Sequence, residues 1–124
     1  GLIIREAYYD KSNKPIIFKG LGAHAKLSEY SAKGELMKTS FQNMAGEAFM
    51  HPACNCASIS FKHDRFGNVV EESYLNLEGQ LTQEGKKNIA RRVYNFNPMG
   101  FMELTQYFDA NGNEITIQGN QPTP

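Results

Sequence analysis

The stretch Ala57-Ser-Ile-Ser-Phe-Lys-His63, Asp64-Arg-Phe-Gly67, Asn68-Val-Val-Glu-Glu-Ser-Tyr-Leu75, Asn76-Leu-Glu-Gly79 decides the fold. Two runs of strand-forming residues are each followed by a four-residue turn. Asp64 and Asn76 open the turns, because their short side-chain oxygens reach backbone N–H groups two residues on. Gly67 and Gly79 end them, where positive φ is wanted. Strand, tight turn and strand make an antiparallel hairpin. Gln80-Leu-Thr-Gln83 reads as a short third strand, and Glu84-Gly-Lys-Lys-Asn88 as a polar connector.

The same pattern recurs along the chain. Gly34, Gly67 and Gly100 stand 33 residues apart, with Gly1 in phase. Seven positions on come Tyr8, Phe41, Tyr74 and Tyr107; five further come Asn13, Gly46, Gly79 and Gly112. Equal spacing in three columns marks a repeat, with units over 1–23, 24–56, 57–89 and 90–117 in one domain, and a polar tail over 118–124. First turns fall at Ser31-Ala-Lys-Gly34 and Asn97-Pro-Met-Gly100, and second turns at Asn43-Met-Ala-Gly46 and Asp109-Ala-Asn-Gly112. The N-terminal piece, 3–18, supplies the second half of a unit, with Asn13 as the αL-tolerant residue of its turn. Strands are expected over 24–30, 35–42, 57–63, 68–75, 90–96, 101–108 and 113–117. Phe61, His63, Tyr94 and Phe96, with Ser28 and Tyr30 in the same phase, form the expected inward face. No window long enough for a helix keeps a 3.6-residue period. The expected fold is all-β, an antiparallel meander of about 3.5 units forming a twisted layered sheet or partial solenoid. A closed barrel or β-sandwich of the same hairpins is the alternative.

Composition excludes several classes. The chain has 124 residues, one domain by length. Thirteen Lys and Arg balance 13 Asp and Glu, which argues against a basic nucleic-acid surface or a polybasic membrane patch. A 40% hydrophobic content without net charge argues against disorder. No apolar run approaches the ~20 residues of a membrane helix. The opening Gly1-Leu2-Ile3-Ile4 has neither Met nor a signal-peptide pattern, and a removed leader or upstream domain is the expected reason.

His51-Pro-Ala-Cys54-Asn-Cys56 is the most reactive-looking segment. Three zinc-type ligands sit within six residues, with His63 or His24 as a fourth, but the spacing matches no strong zinc pattern. The equivalent phases hold Phe18 and Glu84, Leu21 and Lys87, and Ala23 and Ile89, so the segment reads as a local variation in a connector. A mutual disulfide there needs a bent loop. No catalytic residue, metal or cofactor is assigned. The alternative is a thiol- or metal-dependent hydrolase centred on His51, Cys54 and Cys56, with His24, His51 or His63 as base. The column Tyr8, Phe41, Tyr74, Tyr107 is either a stacking platform for sugars or peptides or a core stack. Phe41 favours the core, because the position needs no hydroxyl. Gly20-Leu-Gly22 lacks the lysine of a phosphate loop. Arg91-Arg92 falls far short of a nucleic-acid stripe, and Glu71-Glu72 and Lys86-Lys87 read as solvated charges.

The stretch from Phe61 to Gly79 resembles the YD repeats of bacterial RHS proteins, and the MORN-like and WG-type repeats. Tyr107-Phe-Asp-Ala-Asn-Gly112 fits the second half of that motif, while Ser31 and Asn97 depart from the Asp of the first turn. The resemblance implies a surface or secreted protein, periplasmic or extracellular rather than cytoplasmic, with a binding or scaffolding role. Three to four units are too few to enclose a cargo as large RHS shells do. The functional expectation is a non-enzymatic repeat domain that binds a protein or ligand of unknown identity. Leu2-Ile3-Ile4 at one end, with Ile115 and Ile117 at the other, leave terminal strands without the charge or proline that blunts an edge. Pairing with another copy, with removed residues of the chain itself, or with an added partner strand is expected there.

Overall fold

The computed structural model describes residues 1–84 and 88–116. Eight strands run in chain order: β1 (Leu2–Ala7), β2 (Ala25–Tyr30), β3 (Leu36–Gln42), β4 (Ser58–His63), β5 (Val69–Leu75), β6 (Arg91–Phe96), β7 (Met102–Phe108) and β8 (Glu114–Ile115). Each pairs antiparallel with its sequence neighbours in a single sheet. β1 and β8 are its two edges, so the hairpins close neither a barrel nor a sandwich. The last strand is shorter than the expected 113–117. Ile117, the tail 118–124 and Lys86-Lys87 lie outside the described residues.

The turns dictate the register. Asp64 Oδ1 accepts from the N–H groups of Phe66 and Asn68, both at 2.9 Å. Gly67 N–H donates to Asp64 O at 3.1 Å, and Asp64 N–H donates to Asn68 O at 3.0 Å. Gly67 has φ 89°, which completes a type I turn followed by a glycine bulge. The bulge appears as a register shift at Lys62/His63, and again at Glu29/Tyr30 and Asn95/Phe96. Asn13 plays the glycine's part in the first unit at φ 64°. Because the turns are alike, the pairings repeat: Lys38↔Ser60 between β3 and β4 becomes Glu71↔Val93 between β5 and β6.

After every second turn but the last, which leads into β8, the chain leaves the sheet. The expected strand over Gln80-Leu-Thr-Gln83 reduces to an isolated bridge, Leu75↔Leu81, with Thr82 N–H bonded to Tyr74 O. The chain then doubles back through a third tight loop, bridged Phe18↔Ala23, His51↔Cys56 and Glu84↔Ile89. These loops need a left-handed residue, supplied by Gly22, Asn55 and Asn88. What reads in sequence as a featureless connector is therefore a third repeated turn.

The connectors fold onto one face of the sheet and make the core. Ala23, Cys56 and Ile89, in equivalent positions, are 1%, 0% and 1% exposed. They cluster with Cys54, Phe41 and Tyr74, and Leu21, Phe49, Ile59, Tyr107 and Ile115 pack around them. The expected inward face is corrected in part. Ser28 is buried, but Tyr30, Phe61, His63, Tyr94 and Phe96 are half-buried. The core gathers where the connectors return, at the second-turn end, and takes none of these residues.

Candidate functional site

The loop from His51 to Cys56 is closed and internally satisfied. Asn55 at φ 52° brings the Cα atoms of Cys54 and Cys56 to 5.1 Å, and the two sulfurs are joined. This is the bent loop that a bridge between cysteines two apart requires. His51 is buried. Its Nδ1 accepts from Ala53 N–H at 3.0 Å, which puts the proton on Nε2, 2.7 Å from Leu21 O. Gly22 leaves room for that contact: a Cβ there would stand 2.8 Å from His51 Nε2. His24 is also buried, its Nδ1 2.8 Å from Ile16 O and its ring edge-on to Tyr9. His63 lies at the far end of β4, about 17 Å along the strand from Ser58 at ~3.3 Å per residue. The structure thus brings His51, Cys54 and Cys56 together and leaves His24 and His63 apart from them.

Three members of the aromatic column, Phe41, Tyr74 and Tyr107, belong to the core or pack against it, and Tyr8 does not. Phe41 and Tyr74 are buried, and Tyr8 and Tyr107 half-buried. A different side chain from the 18/51/84 column serves each aromatic. Phe18 stacks on Tyr8 at 4.4 Å, and the His51 ring lies 4.7 Å from Phe41. Glu84 bonds Arg92 at 3.1 Å, and Arg92 donates to the Tyr74 hydroxyl, which in turn donates to Glu72 Oε1 at 3.3 Å. Burial pushes the Tyr74 phenol above its ordinary range, with the Arg92 charge opposing. Burial, together with Glu72, pushes Tyr94 up to about 12. These groups hold units three and four together.

The exposed chemistry lies at the opposite end, on the first turns. Asp64, Phe66 and Asn68 face Phe96, Asn97, Pro98, Met99 and Gly100 across a groove of about 520 Å³. Gly1, Leu2 and Ile4 face Tyr30, Ser31, Ala32 and Gly34 across a second groove of about 450 Å³. Tyr30 to Gly34 and Phe96 to Gly100 are equivalent positions two units apart, so both grooves are the gap between one hairpin tip and the strand end before it. In the intervening gap, Glu35 Oε2 reaches to 3.7 Å from the Cβ position of Gly67. His63, the counterpart of Tyr30 and Phe96, holds an Nδ1 buried without a hydrogen-bond partner. Phe66 and Met99 stand out at 75% and 79% exposure, and Phe101 is exposed beside them. Reading for turns and core missed this surface. The available signal was an apolar residue at turn positions such as Phe66 and Met99, where polar ones suffice.

No protein-family model, no curated protein and no solved structure matches this chain.

Proposed function

We propose that the chain is a non-enzymatic binding or scaffolding repeat domain whose tip grooves receive apolar side chains of a protein partner. The observation that carries the reading is the recurrence of one open groove at equivalent positions, beside exposed Phe66 and Met99. Large exposed apolar side chains in one place mark interaction surfaces. The regular sheet supplies the rigid frame. The joined sulfurs favour an oxidising compartment, periplasmic or extracellular. Kinship with YD/RHS-like repeats belongs to the same reading. The alternative, a hydrolase centred on His51, Cys54 and Cys56, needs a free thiolate and a free imidazole nitrogen. Here the sulfurs bond each other, and both His51 nitrogens engage the backbone.

Titration of isotope-labelled protein with p-cresol and indole, side-chain analogues of tyrosine and tryptophan, tests the reading. Shifts should gather at Tyr30, Phe66, Phe96 and Met99, and those around Phe66 and Met99 should vanish in a Phe66→Ser, Met99→Ser variant. Shifts centred on His51 to Cys56, or cysteine labelling of the native protein without reductant, would favour the hydrolase instead.

A further inference from the structure

We infer that the Cys54–Cys56 bond is a reversible exchange site for low-molecular-weight thiols of the glutathione class, opened at Cys54 and reclosed without loss of the fold. The site lies in the second connector, away from the tip grooves, and stands or falls independently of them.

The bond is not what closes its loop. Phe18 N–H donates to Ala23 O at 3.0 Å, His51 N–H to Cys56 O at 2.8 Å, and Glu84 N–H to Ile89 O at 2.6 Å. This is one bond at three equivalent positions, and the second loop alone carries cysteine. Two further contacts hold that loop without sulfur: His51 Nε2 donates to Leu21 O at 2.7 Å, and Asn55 Nδ2 to Gln83 O at 2.9 Å. Leu21 takes the place of Cys54 in the first unit, and Ala23 and Ile89 take that of Cys56. All three are apolar and belong to the core or pack against it. A thiol behaves as a small hydrophobe, so both reduced side chains fit where they stand.

A structural disulfide gains its hold by closing a long loop of the unfolded chain. Here the partners are two positions apart. With so short a loop, the fold favours the bond over the same bond in an unfolded peptide by about 15-fold at most. The pair is also arranged to reclose. The left-handed conformation of Asn55 that brings the two Cα atoms together recurs at Asn88, in a loop with no sulfur, so it does not depend on the bond. A bond weakly held between partners kept adjacent makes a couple that runs in both directions.

Burial decides which sulfur is attacked. Cys54 is 9% exposed and lies between exposed Ala53 and Asn55, whereas Cys56 is 0% exposed. An incoming thiolate therefore attacks Cys54 Sγ. The bond to Cys56 breaks, its electron pair leaves on Cys56 Sγ, which takes a proton from water, and a mixed disulfide remains on Cys54. A second thiolate attacks the small-molecule sulfur of that mixed disulfide and releases Cys54, which is protonated in turn. Two small thiols are oxidised to one disulfide, and the protein's bond is reduced to two thiols. Cys56 is a poor leaving group because it is buried, which slows the first step without moving the equilibrium.

Oxidised intact protein and a synthetic peptide of residues 50–57 are equilibrated in buffers of graded reduced-to-oxidised glutathione, quenched with acid and weighed by mass spectrometry. The protein should be harder to reduce than the peptide by no more than about 15-fold in the buffer ratio, with its sheet amides still protected from exchange. In a Cys56→Ser variant, oxidised glutathione should add to Cys54. In a Cys54→Ser variant, Cys56 should take it up about tenfold more slowly or less readily still. A larger gap between protein and peptide, loss of amide protection on reduction, or equal uptake by the two variants overturns the inference.

Discussion

Ile89 ends the third connector at 1% exposure, inside the cluster that holds Tyr74 and receives Tyr107 and Ile115. Ile89→Ala removes three carbons. At about 0.8 kcal/mol per buried methylene the transfer loss is roughly 2.4 kcal/mol. The cavity left behind adds to it, so the expected cost is about 3 kcal/mol, within the usual 2–5 for such truncations. That is a large share of a typical stability of about 5–15 kcal/mol. Ala23 stands in the same column, also at 1% exposure, and its site has closed around a methyl group. Ala23→Ile should therefore destabilise as well, by about 1–3 kcal/mol from overpacking. The assay is urea unfolding followed by circular dichroism, with the slope unchanged and the midpoint lowered. A cost below about 1 kcal/mol for Ile89→Ala, or a stabilising Ala23→Ile, would refute the packed core between connectors and sheet.

Gly100 and Gly22 both have positive φ, but a Cβ on Gly100 meets nothing within 4 Å, whereas one on Gly22 meets His51. Gly100→Ala should cost about 1–2 kcal/mol for the left-handed backbone alone, and Gly22→Ala measurably more; equal thermal midpoints would deny the close approach. Asn97→Ala removes the acceptor for Met99 and Phe101 N–H, both at 3.0 Å, and should cost about 1 kcal/mol by chemical denaturation, against no change if the turn holds itself. The raised phenol of Tyr94, with Tyr74 raised likewise, binds its proton more tightly folded than unfolded. Its contribution is whole below pH 10.0, the ordinary phenol value, and is lost as pH climbs through about 12. Stability should fall there by up to about 1.4 kcal/mol per pH unit per tyrosine, and Tyr94→Phe should flatten the fall in a pH series of urea midpoints. Reducing the Cys54–Cys56 bond should cost at most about 1.6 kcal/mol, the chain entropy of so short a loop. The fold should survive, because the loops at Phe18↔Ala23 and Glu84↔Ile89 close without sulfur, and loss of the far-ultraviolet spectrum on reduction would contradict this.

The sheet was legible in sequence because turn chemistry is local. Asp64 with Gly67, and Asn76 with Gly79, carry their conformation in the residue types, and the 33-residue phase extends it to Ser31 and Asn97, where the motif is weaker. The ends of β2 to β7 were read to within a residue for the same reason, whereas the strand expected over 80–83 is a single bridge and the last keeps only Glu114–Ile115. The layer architecture was less legible. Alternation at Phe61 and His63 identifies which side chains share a face, but what covers that face depends on where connector residues such as Ala23, Cys56 and Ile89 return to it. The left-handed residues of the connector, Asn55 and Asn88, are not glycines, so the repeated loop hid behind varied sequence. The Phe18, His51 and Glu84 column hid for a related reason: stacking, a hydrogen-bonded ring and an ion pair occupy equivalent positions without any shared residue type. Of the site, His51, Cys54 and Cys56 were visible as a group, whereas the tip grooves arise from hairpins side by side and leave no contiguous motif.

The most direct test of the repeat is the register between units, read by proton cross-relaxation. Tyr74 N–H bonds Ala90 O, so alternation makes Glu71↔Val93 and Ser73↔Arg91 non-hydrogen-bonded pairs, whose Cα atoms approach to about 4.5 Å. Strong Hα–Hα cross-peaks should join those two pairs, and equally Lys38 with Ser60 and Ser40 with Ser58, 33 residues earlier. Peaks displaced by one residue, such as Lys38 with Ile59, or present at one junction and absent at the other, would contradict a sheet whose register is set by the repeat.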